Sequence, residues 1–167
     1  MRLEENRLKH MGGVAKLAAD IALGLTHDAD FAEEMFVAGL LHDVGYAFAG
    51  ADRHGMAGGK VLSRCGFKYS EAVARHGSGV SLSLAEAILN LADMTVSRFG
   101  EQVGMEERLS EIEKRFGAES SQYRLALVTS SCALRDISSL TTAFSENPRA
   151  PYVVGVSEKA ERKGENK

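Results

Sequence analysis

The chain has 167 residues, a formal net charge of −3, 44% hydrophobic and 26% charged residues. This fits one globular domain able to bury its own core without a disulfide scaffold. No basic stripe marks a nucleic-acid partner, and no apolar run reaches the about 18 residues a membrane span needs. Two cysteines, Cys65 and Cys132, read as buried thiols. With no leader-like run after Met1-Arg2-Leu3-Glu4-Glu5, they point to a reducing cytoplasm.

The only prolines are Pro148 and Pro151, so uninterrupted helices are favoured up to residue 147. Leu8, Met11, Val14, Ala15, Ala18, Ile21, Ala22 and Leu25 recur at helical spacing and predict a first helix over about 2–25. Asp28 or Asp30 can cap a second helix running to about Tyr46. That helix is apolar on nearly every side from Met35 to Val44, which makes it the expected buried centre. Gly45 to Asp52 reads as a loop, with Asp52 as N-cap of a helix over 53–65 that Gly66 ends. Further helices are expected over 70–76, 82–98, 105–116 and 123–144. The only β-like run is Tyr152-Val153-Val154-Gly155-Val156. The expected fold is all-α: one compact domain of six or seven helices over 1–146, with accessory helices at 105–144 and a loose tail at 147–167.

The five histidines divide by context. His42-Asp43 lies in the apolar stretch Phe36-Val37-Ala38-Gly39-Leu40-Leu41-His42-Asp43-Val44-Gly45. A buried aspartate costs several kcal/mol unless it is paired or holds a metal. His10 flanks the apolar stripe of the first helix. Asp93 sits in Ile88-Leu89-Asn90-Leu91-Ala92-Asp93-Met94, a second acid in an apolar run. Two imidazoles and two carboxylates at apolar faces are a mixed N/O donor set, suited to Fe, Mn, Zn or Co better than to Ca. His54 and His76 each follow an arginine and precede a glycine. They are either helix-end surface residues or ligands of a second ion bridged by Asp43. His27 reads as a solvated loop residue.

The arrangement His10 … His42-Asp43 … Asp93 resembles the H…HD…D signature of the HD-domain superfamily of metal-dependent phosphohydrolases. The flanking text agrees at Arg7-Leu8-Lys9-His10-Met11-Gly12-Gly13-Val14, at Gly39-Leu40-Leu41-His42-Asp43-Val44-Gly45 and at Leu91-Ala92-Asp93. The resemblance covers about residues 5–100. It implies that His10, His42, Asp43 and Asp93 ligate a first metal. His54 and His76 match positions used in bimetallic branches. Around His54-Gly55 and Ala74-Arg75-His76 the sequence looks closest to the branch that splits diadenosine tetraphosphate symmetrically. Tyr46 stands where many relatives carry lysine in an HD-x-x-K arrangement. The GYP motif of the cyclic-di-GMP branch is absent.

These residues imply one or two divalent or transition ions (Fe, Mn, Zn, Co or Mg) and a small phosphorylated substrate such as a nucleotide. Asp43 is expected to orient an attacking water and take its proton. Arg7, three residues before His10 on the same helix face, is the expected phosphate contact. Arg53 and Arg75 are weaker candidates. The acid-base run Glu106-Glu107-Arg108-Leu109-Ser110-Glu111-Ile112-Glu113-Lys114-Arg115 reads as a solvated helix face without chemistry. Alternative readings are a di-iron oxygenase and a non-catalytic nucleotide-sensing module. An exposed apolar face on a late helix would allow a homodimer.

Overall fold

The computed structural model describes residues 3–146, so the Tyr152–Val156 run and the expected tail lie outside the described residues. Seven α-helices follow in order: α1 (Glu5–Thr26), α2 (Ala29–Leu41), α3 (His54–Arg64), α4 (Ser70–Arg75), α5 (Leu84–Asp93), α6 (Met105–Phe116) and α7 (Ser121–Glu146). A 3-10 helix, Val44–Ala47, joins α2 to the loop before α3. Among the described residues the isolated β-bridge is Val96 with Gln102, and no strand forms. No described helix is long and apolar enough to cross a membrane.

α1 buries His10, Met11, Val14, Ala15, Ala18 and Ala22 on one face. Its alanines leave room for α2: a Cβ on Gly39 would lie 2.6 Å from the Cα of Ala15. Between the two helices His27 is exposed with φ 55, and its N–H donates to the Leu23 carbonyl. The Asp28 carboxylate then caps α2 by accepting from the Phe31 N–H at 3.0 Å, as the sequence suggested.

Helix α2 departs from expectation in two ways. It stops at Leu41 rather than near Tyr46, and the chain turns through His42 and Asp43 into the 3-10 helix. Close packing at Gly45 and the demands of the Asp43 side chain override the helical pattern here. A Cβ on Gly45 would fall 1.8 Å from the carbonyl oxygen of His54, so the turn is pressed directly onto the start of α3. Second, α2 is not the buried centre, because Phe36, Val37 and Leu40 are each more than 40% exposed. The centre is α5, where Leu84 to Asn90 and Ala92 are all buried.

α5 also ends earlier than the expected 98. The Thr95 hydroxyl donates to the Leu91 carbonyl at 2.7 Å, and a turn closed by Val96 and Gln102 carries the chain to α6. Asp52 does not cap α3. Arg53 occupies that position without a side-chain cap, and Asp52 instead accepts from Gln122 and Ser121 on α7. Cys65 is exposed rather than buried, whereas Cys132 is buried; both are free thiols.

The loop between α4 and α5 is fastened by buried polar groups. Asn90 accepts from the Gly77 N–H at 2.7 Å and donates to the Ser81 hydroxyl at 2.9 Å, while Asp136 on α7 accepts from the Ser81 N–H at 2.8 Å. Glu86 accepts from the Leu82 N–H and from Arg75 through one oxygen, and its other oxygen has no partner. Burial raises the Glu86 carboxyl above its usual range against the opposing pull of those two donors.

Two outcomes follow from this packing. Gly45→Ala should lower stability by about 1–3 kcal/mol or more, read by chemical unfolding, because the obstacle is backbone rather than a movable side chain. Glu86 has the opposite character. Its folded-state pKa is raised, so the folded protein binds the proton more tightly. Stability is highest below the unfolded pKa and falls as pH rises through the raised folded value. Glu86→Gln should therefore be at least as stable as the parent at pH 7 and lose that advantage near pH 4 in urea titrations.

Candidate metal centre

Six sequence-predicted residues converge at one point beneath α1. His10 comes from α1, His42 and Asp43 from the end of α2, His54 from the first position of α3, His76 from the end of α4, and Asp93 from the end of α5. Three sets bring ligand atoms within 4.8 Å of one another: His10, His42 and Asp43; His42, His76 and Asp93; Asp43, His54 and His76. Asp43 is the hinge between two lobes. Its Oδ1 lies 3.2 Å from His54 Nε2 and 3.4 Å from His76 Nε2. Its Oδ2 accepts from Arg7 and lies 3.5 Å from His42 Nε2. Asp93 Oδ1 meets His10 Nε2 at 3.0 Å.

The other nitrogen of each ring is fixed. Nδ1 of His10 lies 3.0 Å from the Ser97 carbonyl, and those of His42, His54 and His76 each lie 2.7 Å from the carbonyls of Gly39, Ala51 and Val73. A carbonyl only accepts, so each Nδ1 carries a proton, and each Nε2 is turned toward the centre, where a neutral ring would offer its lone pair. This is the orientation imposed on metal-ligating histidines by backbone partners.

The donor set fits a cation on two further observations. His42 Nε2 is buried and has no hydrogen-bond partner. His54 and His76 place their Nε2 atoms 3.1 Å apart, and two lone pairs at that distance repel unless a proton or metal ion lies between them.

The electrostatics agree. Burial drives the His42 imidazole down to about 4 against the charge of Asp43, so its lone pair is free at neutral pH. Burial alone would raise Asp43, but the facing imidazoles and Arg7 more than reverse this and hold its carboxyl well below the usual range. Asp93 is likewise held low, against burial, by His10 and Arg108. His76 resists the lowering effect of burial through its contact with Asp43 and sits above the ordinary imidazole value.

Arg7 reaches the centre but is committed to Asp43 rather than left free. Arg75 turns away to Glu86, Arg53 is exposed, and His27 takes no part. The run 106–115 corrects expectation. Arg108 is buried and donates to the Asp93 carbonyl at 3.2 Å, to Asp93 Oδ1 at 3.3 Å and to Glu111 at 3.0 Å. Arg7, His10, Arg98, Arg108 and Arg115 share the wall of one cavity of about 170 Å³ beside the cluster. The sequence signal for the α6 arginines was their spacing of seven, which puts both on one helix face.

Residues 7–117 match the HD domain family, well over half of the chain. The chain belongs to the HD domain family. No curated protein and no solved structure matches it. The matched range takes in α6, the helix that carries Arg108 and Arg115.

Tyr46 stacks on His54 with ring centroids 4.2 Å apart and planes at 22°, and the Arg7 guanidinium carbon lies 3.9 Å from the Tyr46 ring centroid. His54 is the most exposed of the four facing imidazoles, so this stack restrains the ligand with the greatest freedom. Tyr46→Leu should weaken metal binding about tenfold, the scale of an aromatic pair, while Tyr46→Phe retains it. Metal titration by calorimetry reads the difference directly.

Proposed function

We propose that this HD domain is a cytoplasmic metal-dependent phosphohydrolase acting on a small phosphorylated substrate of the nucleotide class. The observation that carries the reading is the buried Asp43, faced by Nε2 atoms and paired with Arg7, which together with His10 also lines an arginine-rich cavity. His10, His42, Asp43 and Asp93 would hold one ion, and Asp43, His54 and His76 a second. A divalent ion in such a site lowers the pKa of water toward 7 and polarises phosphoryl oxygens.

The chain's own residues supply binding and orientation. Hydrolysis forms one P–O bond from water and breaks the P–O bond to the leaving group, and the water's proton ends on the leaving oxygen. Asp43 would orient the attacking water and take up its proton before that proton passes to the leaving oxygen. Its two oxygens face different partners, Oδ2 toward Arg7 and Oδ1 toward His54 and His76. Arg7 and Arg108 neutralise the buried Asp43 and the half-buried Asp93, which would let a phosphate approach the two carboxylates. Two free thiols are in keeping with a reducing compartment.

The test joins metal analysis to a phosphate-release screen over nucleotides and dinucleoside polyphosphates. The parent should carry bound metal and release phosphate or a nucleotide. Asp43→Ala should lower the rate about 10³-fold or more, the scale of losing a central electrostatic stabiliser, and reduce metal content. Metal bound without turnover of any ester, together with O₂ consumption, would overturn the reading.

A further inference from the structure

The cavity beside the metal centre has a charge balance that the ligand cluster does not explain. The whole chain is net negative, at −3, yet this wall carries four arginines against one carboxylate, Glu4, which is exposed. The four arginines are not equivalent. Arg7 is matched by Asp43, and Arg108 by Asp93 and Glu111. Among the described residues, Arg98 and Arg115 have no carboxylate within ion-pair distance; their guanidinium groups lie over the neighbouring rings of Phe99 and Phe116, at 5.1 and 4.9 Å.

Three separate segments assemble this wall. Arg7 comes from α1, Arg98 from the turn closed by Val96 and Gln102, and Arg108 and Arg115 from one face of α6. Two helical turns, about 10 Å, separate Arg108 from Arg115. The row therefore runs outward, from an arginine on the ligand Asp93 to an arginine without an acidic partner. Arg115 is lowered from the usual guanidinium value first by burial and then by the charges of Arg7 and Arg98. Arg98 and Arg115 are both exposed on this wall, where like charges from three segments attract an anion.

The cavity's size limits what that anion is. About 170 Å³ is below the about 300–1,000 Å³ typical of pockets that enclose a whole drug-sized ligand. It suits a compact charged group, with any nucleoside lying outside. His10 belongs to both the cavity wall and the metal-ligand cluster, so a group in the cavity is next to a group at the centre.

We propose that the cavity is a second phosphate subsite, in which Arg98 and Arg115 select compounds carrying a chain of two or more phosphates. The inference rests on the phosphohydrolase reading and narrows its substrate class. One phosphate lies at the metal centre and the next extends along the arginine row. Guanidinium forks suit this task because they match phosphate oxygens bidentately and do not lose their charge. The same chemistry is offered by a nucleoside polyphosphate and by inorganic polyphosphate.

Binding decides the matter independently of turnover. Calorimetric titrations of the metal-loaded full chain with AMP, ATP, orthophosphate and tripolyphosphate, in excess Mg²⁺, give two affinity ratios. ATP should bind more tightly than AMP, and tripolyphosphate more tightly than orthophosphate, by about tenfold or more, the scale of one charge-assisted contact. Arg98→Ala/Arg115→Ala should reduce both ratios to about threefold or less. Lys16→Ala/Lys114→Ala removes the same charge from exposed positions off the cavity wall and should leave the ratios unchanged. ATP well above tripolyphosphate identifies a nucleotide, and equal affinity identifies the bare phosphate chain; either supports the subsite. Equal affinity for short and long phosphates in the parent, or ratios that survive the double arginine variant, overturns it. A chain that shows the preference but hydrolyses nothing keeps the subsite and loses the phosphohydrolase reading.

Discussion

The Asp43 carboxylate is 2% exposed, and taking an ion out of water costs several kcal/mol even after relaxation. Its neighbours offset that cost: Arg7 from α1, His42 beside it, His54 from α3 and His76 from the end of α4. Satisfying one charge thus draws four chain segments to a point. The glycines at Gly39 and Gly45 serve the same end, because they let α2 and the following turn approach α1 and α3 at backbone contact distance. Packing and electrostatics here are one constraint viewed from two sides.

Helix ends supply the other half of the geometry. The carbonyls in the last turn of a helix lack intrahelical partners. His42 and His76 stand at the C-terminal ends of α2 and α4 and fold their Nδ1–H groups back onto Gly39 and Val73. His54, at the start of α3, uses Ala51 in the same three-residue step. A local satisfaction of backbone oxygen therefore selects the tautomer and points Nε2 at the centre. His10 is in mid-helix, where carbonyls are already bonded, and it takes the distant Ser97 carbonyl instead. This accounts for the early stop of α2: a doublet inside a continuous helix would have no spare carbonyl to orient His42.

The clustered residues were legible in the sequence because His and Asp in apolar runs are chemically conspicuous. Helix count and most helix positions were legible for a similar reason, since period and caps such as Asp28 and Gly66 act locally. What failed was tertiary. The run Met35 to Val44 carries no local mark of its turn, because the stop depends on contacts with α1, α3 and α4. Its apolar residues gave no sign that Phe36, Val37 and Leu40 would remain exposed. Arg108 was hidden by its setting, for alternating charges read as solvent-facing. Only the fold reveals that Asp93 and Glu111 together take up its guanidinium. Tyr46 was visible as a departure from the family, but its stacking on His54 was not.

The two charged layers of the site are interdependent. Asp43 and Asp93 alone would repel a phosphate, since two unit charges about 4 Å apart interact by about 4 kcal/mol at an effective dielectric of 20. Arg7 and Arg108 bring this floor close to neutrality and leave the imidazole lone pairs free. Arg98 and Arg115 have no such duty, so their charge is available to a ligand. A cation among the imidazoles and an anion along the arginines therefore favour one another, each offsetting charge that the other's binding would leave exposed. By linkage, that coupling acts equally in both directions on the two affinities. The folded arrangement, rather than any one residue, makes the proposed phosphate binding beside two carboxylates physically consistent.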